Sequence, residues 1–194
     1  MLCLATVNDP AQRIANYDDV INAPPNMIAE LIYGSLVLSP RPRPTHALAT
    51  SGLGMSLGAP FQFGRGGPGG WWILDEPELH LDTNVLVPDL AGWRRERMPT
   101  MPEAAYFELA PDWICEVLSP STEAHDRTEK LHIYAAAGVA WTWLINPDLR
   151  TLEILRNADG RWMLEASHRD AAIVRAQPFT AIELPLADLW PPSS

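Results

Sequence analysis

Apolar and polar residues alternate along the chain in short segments, a pattern that favours strands over long helices. A short helix is predicted at residues 17–20, and two apolar runs that reverse at Tyr33-Gly34 predict a β-hairpin over residues 27–40. A longer helix is predicted at residues 45–57, although Gly52 and Gly54 weaken the pattern. Further extended segments are predicted at residues 71–74, 78–81 and 85–93.

The second half of the chain places one helix between predicted strands. A strand at residues 113–118 is followed by a turn and helix cap at residues 119–122, and then by a helix from about residue 123 to residue 137. Three more strands are predicted at residues 142–146, 151–156 and 162–168. The strand–helix–strand unit is long enough for a parallel crossover. We therefore predict a mixed α/β fold, in a single domain that spans residues 1–194.

The composition of the chain restricts the classes of protein to which it can belong. Hydrophobic residues make up 47% of the chain and include eight tryptophans, so a substantial core can form. No segment approaches the ~20 apolar residues that cross a bilayer, and the first residues lack the pattern of a signal peptide. We expect a cytoplasmic protein that does not contact membranes. Cys3 and Cys115 are too few for a disulfide framework or a zinc site.

The formal net charge of −10 opposes nucleic-acid binding, because a polyanionic partner usually requires a basic surface. An acidic nuclease has to concentrate its arginines locally or rely on metal ions. Arg94, Arg95 and Arg97 form the densest basic cluster, immediately after the predicted strand that contains Asp89. They are candidate phosphate contacts, and a solvated loop is the alternative interpretation of such a run.

Two carboxylates, Asp89 and Glu116, each lie within a predicted apolar strand. A buried carboxylate is costly unless it is paired or binds a metal, and a divalent cation can hold two of them together. The alternative is that each pairs with an arginine or caps a helix. Lys130, the single lysine, follows Glu116 by fourteen residues and shares a predicted helix face with Asp126 and Tyr134. An ordinary ion pair with Asp126 is the alternative role for Lys130.

At this point the chain resembles the Uma-type family of restriction endonuclease-like proteins, in the PD-(D/E)XK nuclease superfamily. The resemblance covers roughly residues 17–190. The motifs that carry it, in order, are Glu30-Leu31-Ile32-Tyr33-Gly34, Ser39-Pro40, His46, Pro88-Asp89, Glu116-Val117-Leu118-Ser119-Pro120, Asp126, Lys130, Tyr134, Gly138-Val139 and Trp143-Leu144-Ile145-Asn146-Pro147.

The resemblance implies a restriction-endonuclease-like fold, a central mixed β-sheet flanked by helices, to which the N-terminal β-hairpin would be an extension. It implies that Asp89 and Glu116 hold Mg²⁺ or Mn²⁺, together with the backbone carbonyl of Val117. The superfamily's lysine normally lies two residues after the second acid, where this chain has Leu118. Lys130 is the expected substitute, reaching the same space from the neighbouring helix.

Other residues are predicted to assist this site. Glu30 and Glu78 are candidate additional acids, Tyr134 shares the helix face of Lys130, and His46 could bind phosphate, join the metal site or cap a helix. The predicted function is a metal-dependent DNA endonuclease, and a homodimer would suit two-fold duplex cutting. Leu118 and the acidic charge favour the alternative, a catalytically inactive protein of the same fold that acts as a binding or assembly module.

Overall fold

A computed structural model describes residues 13–192 of the chain. Cys3 and the segment used for the signal-peptide expectation lie outside this range. The helices are α1 (Tyr17–Ile21), α2 (Pro44–Leu57), α3 (Glu123–His125) and α4 (Leu131–Ala136), with π-helical segments at Gly58–Gln62 and Asp126–Lys130 and a 3₁₀ turn at Leu186–Leu189. The strands are β1 (Met27–Ile32), β2 (Ser35–Pro40), β3 (Trp71–Asp75), β4 (Leu79–Leu81), β5 (Asn84–Leu86), β6 (Leu90–Arg94), β7 (Trp113–Val117), β8 (Trp141–Asn146), β9 (Thr151–Ala158), β10 (Arg161–Arg169), β11 (Ile173–Val174) and β12 (Leu184–Pro185).

A six-stranded mixed sheet forms the centre of the fold, in the order β10-β9-β8-β7-β6-β3. Strands β7 and β8 are parallel, and the helical segment between them makes the crossover that the sequence predicts. The other neighbouring pairs of this sheet are antiparallel. A second, four-stranded sheet has the order β2-β1-β5-β4. The predicted β1–β2 hairpin lies at one edge of this sheet. These sheets confirm the mixed α/β fold class.

The predicted continuous strand at residues 85–93 is wrong. The structure divides it into β5, in the four-stranded sheet, and β6, in the six-stranded sheet. Pro88 lies between them, and proline has no N–H with which to continue a strand ladder. Asp89 therefore lies at the junction of the two sheets instead of inside a strand. Because Leu90 pairs with Cys115, this junction lies next to the end of β7 that carries Glu116.

Each face of the central sheet packs against its own apolar cluster. On one face, Trp113 and Trp143 meet edge to face, with ring centroids 5.4 Å apart, and both contact Phe179. Helix α2 lies on the same side, where Leu53 is fully buried. Ile114 belongs to the cluster on the other face. Residues 113 and 115 therefore share one face and residue 114 the other, as strand alternation predicts. No helix within residues 13–192 is long and apolar enough to cross a bilayer.

An aromatic cluster attaches α1 to the four-stranded sheet. The Tyr17 hydroxyl donates a hydrogen bond of 2.7 Å to Glu78, and His80 Nε2 lies 2.8 Å from the same carboxylate oxygen. The rings of His80 and Tyr106 stack with centroids 3.9 Å apart. The bond to Glu78, together with burial, raises the pKa of Tyr17 to about 12.

This raised pKa predicts that the wild type and Tyr17→Phe lose stability differently at high pH. The folded chain holds the Tyr17 proton more tightly than the unfolded chain, so the stabilisation is complete below pH ~10 and is lost as pH rises to about 12. In thermal unfolding, Tm of the wild type should fall more steeply over this window than Tm of Tyr17→Phe. The variant Tyr33→Phe, which removes an exposed phenol, should keep the wild-type slope. Equal slopes for wild type and Tyr17→Phe would contradict the assignment.

Candidate active site

Three elements bring charged side chains together between the two sheets. Glu116 comes from β7, Glu30 from β1, and Lys130 from the π-helical segment that follows β7. The Lys130 ammonium lies 2.9 Å from Glu116 Oε1, 3.0 Å from Glu30 Oε1 and 3.4 Å from Asp126 Oδ1. Each of these four side chains is at most 8% exposed. A single buried cation therefore holds three buried carboxylates.

The π-helical segment helps to align the polar face of this helix. In an α-helix with 3.6 residues per turn, Tyr134 would lie roughly 80° around the axis from Asp126. A π-helical turn is wider and opposes that drift. Asp126 and Lys130 are in contact, and the Tyr134 hydroxyl donates a hydrogen bond of 2.6 Å to Glu116 Oε1. The side chains of Asp126, Lys130 and Tyr134 therefore all belong to the cluster around Glu116.

Burial and repulsion between the carboxylates determine the electrostatics of the cluster. Burial raises the pKa of Glu116 well above its usual value, and the charges of Asp126, Asp89 and Glu30 add to this effect, while the Lys130 charge opposes it. Burial raises the pKa of Asp126 as well. Burial alone would lower the pKa of Lys130, but Glu116 and Glu30 raise it well above the usual value. Lys130 is therefore protonated, and its single positive charge neutralises only part of the negative charge of the three carboxylates.

Asp89 is held by a second set of contacts beside Glu116. The Val117 N–H donates a hydrogen bond of 2.7 Å to Asp89 Oδ2, and His46 Nε2 lies 3.2 Å from Asp89 Oδ1. Burial lowers the pKa of His46, but hydrogen bonds to Asp89 and to the Val117 backbone outweigh burial, so the net shift is upward. The imidazole thus contacts two of the groups that were predicted to bind metal, the Asp89 carboxylate and the Val117 backbone.

These side chains line a cavity of about 240 Å³ that opens to solvent. Glu30, Asp89, Glu116 and Asp126 supply its negative charge, and Lys130 and His46 lie among them. The remaining polar lining comes from two arginines and four hydroxyl side chains, namely Arg41, Arg43, Ser39, Ser119, Ser121 and Thr122. Within residues 13–192, no arginine forms an ion pair with Asp89 or Glu116. The alternative in which each acid pairs with its own arginine does not describe this site.

The donor chemistry of the cavity can be tested against the implied metal. Among residues 13–192, no three His, Cys, Asp and Glu side chains are arranged as a metal centre. Two carboxylates and a backbone carbonyl remain, and these are oxygen ligands of the kind that Mg²⁺ and related hard cations prefer. The single Lys130 ammonium is shared by Glu30, Glu116 and Asp126, so one positive charge faces three carboxylates. A divalent cation fits both the ligand type and the charge.

Several predicted residues lie outside this cavity. Glu78 belongs to the Tyr17 cluster and does not line the cavity.

The three arginines of the densest basic cluster have partners elsewhere on the molecule. Arg94 stacks over Trp71 at 4.7 Å, Arg95 stacks over Trp72 at 3.9 Å, and Arg97 pairs with Asp112 at 2.9 Å. Since β6 runs away from Asp89, its last residue lies about 16 Å from it. Phosphate binding by these arginines stays a prediction, and it concerns another surface.

The sequence interpretation missed three charged residues that line the cavity. Asp126 was predicted as a family motif residue and an ion-pair partner of Lys130 but not as a site residue, and it is 4% exposed and contacts Lys130 inside the cluster. Arg41 and Arg43 were not predicted as site residues. Their position just before His46, a predicted site residue, was the available indication that they face the same cavity.

Comparison with known proteins identifies the family. The model of the family Uma2, described as "Putative restriction endonuclease", matches residues 14–187. The chain belongs to the Uma2 family. This confirms the resemblance predicted from the sequence motifs. No curated protein matches the chain.

A solved structure supports the fold of this Uma2 protein. It is the crystal structure of a "putative nuclease belonging to DUF820" from Anabaena variabilis ATCC 29413. The two chains are 23% identical with a TM-score of 0.73, over 90% of this chain and 96% of the other. At this identity the likeness establishes the fold, and it confirms the predicted restriction-endonuclease-like class.

Proposed function

We propose that this Uma2 protein is a metal-dependent endonuclease that hydrolyses phosphodiester bonds in DNA. The observation that carries the proposal is the meeting of Asp89, Glu116 and Lys130 around one cavity, although they lie far apart in the sequence. Perturbed, buried ionisable groups that line a cavity are typical of catalytic sites. Membership of a restriction-endonuclease family provides the substrate class.

In the proposed mechanism, Asp89, Glu116 and the Val117 carbonyl would hold the cation. When bound, a divalent cation polarises a phosphoryl oxygen and lowers the pKa of water. Asp89 is kept in orientation by the Val117 N–H and His46, and Glu116 by Tyr134. These contacts fix both carboxylates before substrate arrives, which reduces the reorganisation needed during the reaction.

Lys130 stabilises the negative charge that develops on the phosphoryl group. The ammonium has three N–H donors, and in this structure they face three carboxylates. The contact with Asp126, at 3.4 Å, is the longest of the three. A phosphoryl oxygen therefore takes the place of Asp126 at the ammonium, while Glu116 and Glu30 keep Lys130 in position.

The cation site predicts a measurable metal affinity. Calorimetric titration of the wild type with Mn²⁺ or Mg²⁺ should show saturable binding, and plasmid nicking should require the metal. Asp89→Asn removes a charged ligand and should lower the metal affinity by roughly 100-fold or more, since even an outer-shell change costs 10–100-fold. The matched change Asp82→Asn, outside the cavity, should leave the affinity unchanged. Equal metal affinity in Asp89→Asn and wild type would contradict the ligand assignment.

The second candidate function is a catalytically inactive binding or assembly module. Leu118 favours it, because the position that carries the superfamily's lysine is here 3% exposed and packs with Leu144 and Leu155. Saturable metal binding without nicking of any DNA or RNA would select this function. The homodimer stays a prediction, and light scattering of the purified protein measures it.

A further inference from the structure

Two arginines approach the acidic cavity from the connector between β2 and α2. Arg41 and Arg43, separated by Pro42, line the same cavity as Asp89 and Glu116. Both residues are exposed, whereas Lys130 is buried at the bottom of the cluster. The cavity therefore has carboxylates inside and guanidinium groups on its solvent side. This arrangement brings positive charge to the opening of a site in a chain of net charge −10.

The guanidinium groups of this pair are available to a ligand. Within residues 13–192, the Arg43 side chain has no hydrogen-bond, ion-pair or aromatic partner. Arg41 reaches Glu76 only at 4.0 Å and the Pro25 carbonyl at 3.5 Å, both on the surface. Exposed ion pairs of this kind contribute little. By contrast, Arg127 pairs closely with two glutamates, at 2.8 Å and 2.7 Å.

The backbone of the connector holds the two arginines in a fixed relation. Each precedes a proline, and both Pro42 and Pro44 restrict their own φ and the conformation of the residue before them. Arg43 has φ −70° and ψ 158°, which is polyproline II geometry. At ~3.1 Å per residue, the two arginine Cα atoms are about 6 Å apart along the connector. A stiff connector loses little conformational entropy when a ligand orders its side chains.

The ligand chemistry follows from the side chains. Guanidinium groups bind phosphate oxygens with paired, charge-assisted hydrogen bonds. An extended ligand with repeated phosphates is long enough to place one phosphate on the arginines and a neighbouring phosphate at the cation that Asp89 and Glu116 would hold. We infer that Arg41 and Arg43 form a phosphate-binding subsite that holds the backbone of a nucleic-acid strand beside the bond to be cleaved. This inference rests on the proposed function, since it names the substrate contacts of the same site.

The subsite predicts a loss of binding that can be separated from catalysis. Binding of a short fluorescein-labelled DNA oligonucleotide, single-stranded and duplex, is measured by anisotropy in Ca²⁺ over a series of KCl concentrations. Arg41→Ala/Arg43→Ala should weaken binding roughly tenfold or more and reduce the salt-dependence slope by about 1.4 for single strands or 1.8 for duplex. Arg41→Lys/Arg43→Lys should restore the slope but only part of the affinity, because lysine does not form the paired hydrogen bonds.

A charge-matched control removes two arginines from another surface. Arg161 and Arg169 lie at the two ends of β10, the outer strand of the central sheet, and do not line the cavity. Arg161→Ala/Arg169→Ala should keep the wild-type affinity and slope. An equal loss in both double variants, an unchanged Arg41→Ala/Arg43→Ala variant, or no DNA binding by the wild type would each overturn the inference.

A parallel nicking assay separates this inference from the proposed function. Metal-dependent nicking that survives unchanged in Arg41→Ala/Arg43→Ala would overturn the subsite and leave the endonuclease proposal standing. Binding that depends on Arg41 and Arg43, without nicking by the wild type, would support the subsite and favour the inactive binding module. DNA binding by the arginine variants therefore tests the subsite, and nicking by the wild type tests the endonuclease proposal.

Discussion

Replacing Glu116 with glutamine is expected to lower the rate of plasmid nicking by about 10³-fold while the protein stays folded. Glutamine keeps the shape of the side chain and can still accept the hydrogen bond from Tyr134, but it lacks the charge that a metal ligand supplies. Lys130 keeps its contacts with Glu30 and Asp126. The change also removes one buried negative charge, so the free energy of unfolding should stay within about 2 kcal/mol of the wild type.

The matched control for Glu116→Gln is Glu153→Gln. Glu153 is also a strand glutamate, on β9, but it pairs with Arg127 at the surface and does not line the cavity. Its replacement should change neither the nicking rate nor, by more than ~1 kcal/mol, the free energy of unfolding. If Glu116→Gln cleaves within tenfold of the wild-type rate, Glu116 does not act in catalysis. Denaturant unfolding of each variant shows whether the comparison is between folded proteins.

The positions of Glu116 and Tyr134 could be predicted because local periodicity determines them. Strand alternation places Glu116 and Ile114 on the same face of β7, and helical spacing directs Lys130 and Tyr134 to one side. A strand followed by a helix and a second strand then has a strongly preferred parallel arrangement. For these residues, each inference needed only a few neighbouring positions.

The position of Asp89 could not be read from local pattern in the same way. The apolar run at residues 85–93 looks like one strand, and only the pairing of β5 with β1 and of β6 with β7 divides it between two sheets. Those pairings depend on residues far away in the sequence, which is why strand prediction depends strongly on context. The same break brings the carboxylate to the sheet junction, where Val117 and His46 hold it.

The roles of Asp126 and of the arginines depend on which side chains are buried and on where their elements lie in the fold. Residue spacing alone determines neither. Asp126 is buried beside Lys130, and Glu30 contacts the same lysine from β1, almost one hundred residues earlier in the chain. Arg94 belongs to the densest basic cluster but lies at the end of β6 away from Asp89. The sparser Arg41 and Arg43 reach the cavity because their connector lies beside it. Local charge density therefore did not indicate which arginines line this cavity.

Replacing Lys130 with methionine is expected to be the most destabilising single change in the site, lowering the free energy of unfolding at neutral pH by about 3–5 kcal/mol. Methionine fills much of the same volume, so loss of packing contributes little. The cost arises because Glu116, Glu30 and Asp126 lose their shared buried cation. Denaturant unfolding of variant and wild type at the same pH measures the difference.

The destabilisation should shrink as the solution becomes more acidic. Burial already raises the pKa of Glu116 and of Asp126, and the Lys130 charge is the largest influence that lowers both. Without Lys130 the two values rise further, so the folded variant binds protons more tightly than its unfolded chain. Stability from such groups is complete below their unfolded pKa, about 4, and is lost as pH rises. The difference between wild type and Lys130→Met should therefore be smallest near pH 4–5 and grow towards pH 7.

Two further variants show whether the buried cluster is the cause. Arg127→Met removes a cation from the same π-helical segment, but its glutamate partners are solvent-accessible, so the loss should be about 1 kcal/mol or less. Adding Glu116→Gln to Lys130→Met should recover part of the lost stability, because one uncompensated carboxylate disappears. A pH-independent loss in Lys130→Met, with no recovery in the double variant, would mean that Lys130 stabilises the fold by packing. Recovery at acid pH together with recovery by Glu116→Gln would instead locate the destabilisation in the electrostatic cluster that the nuclease proposal requires.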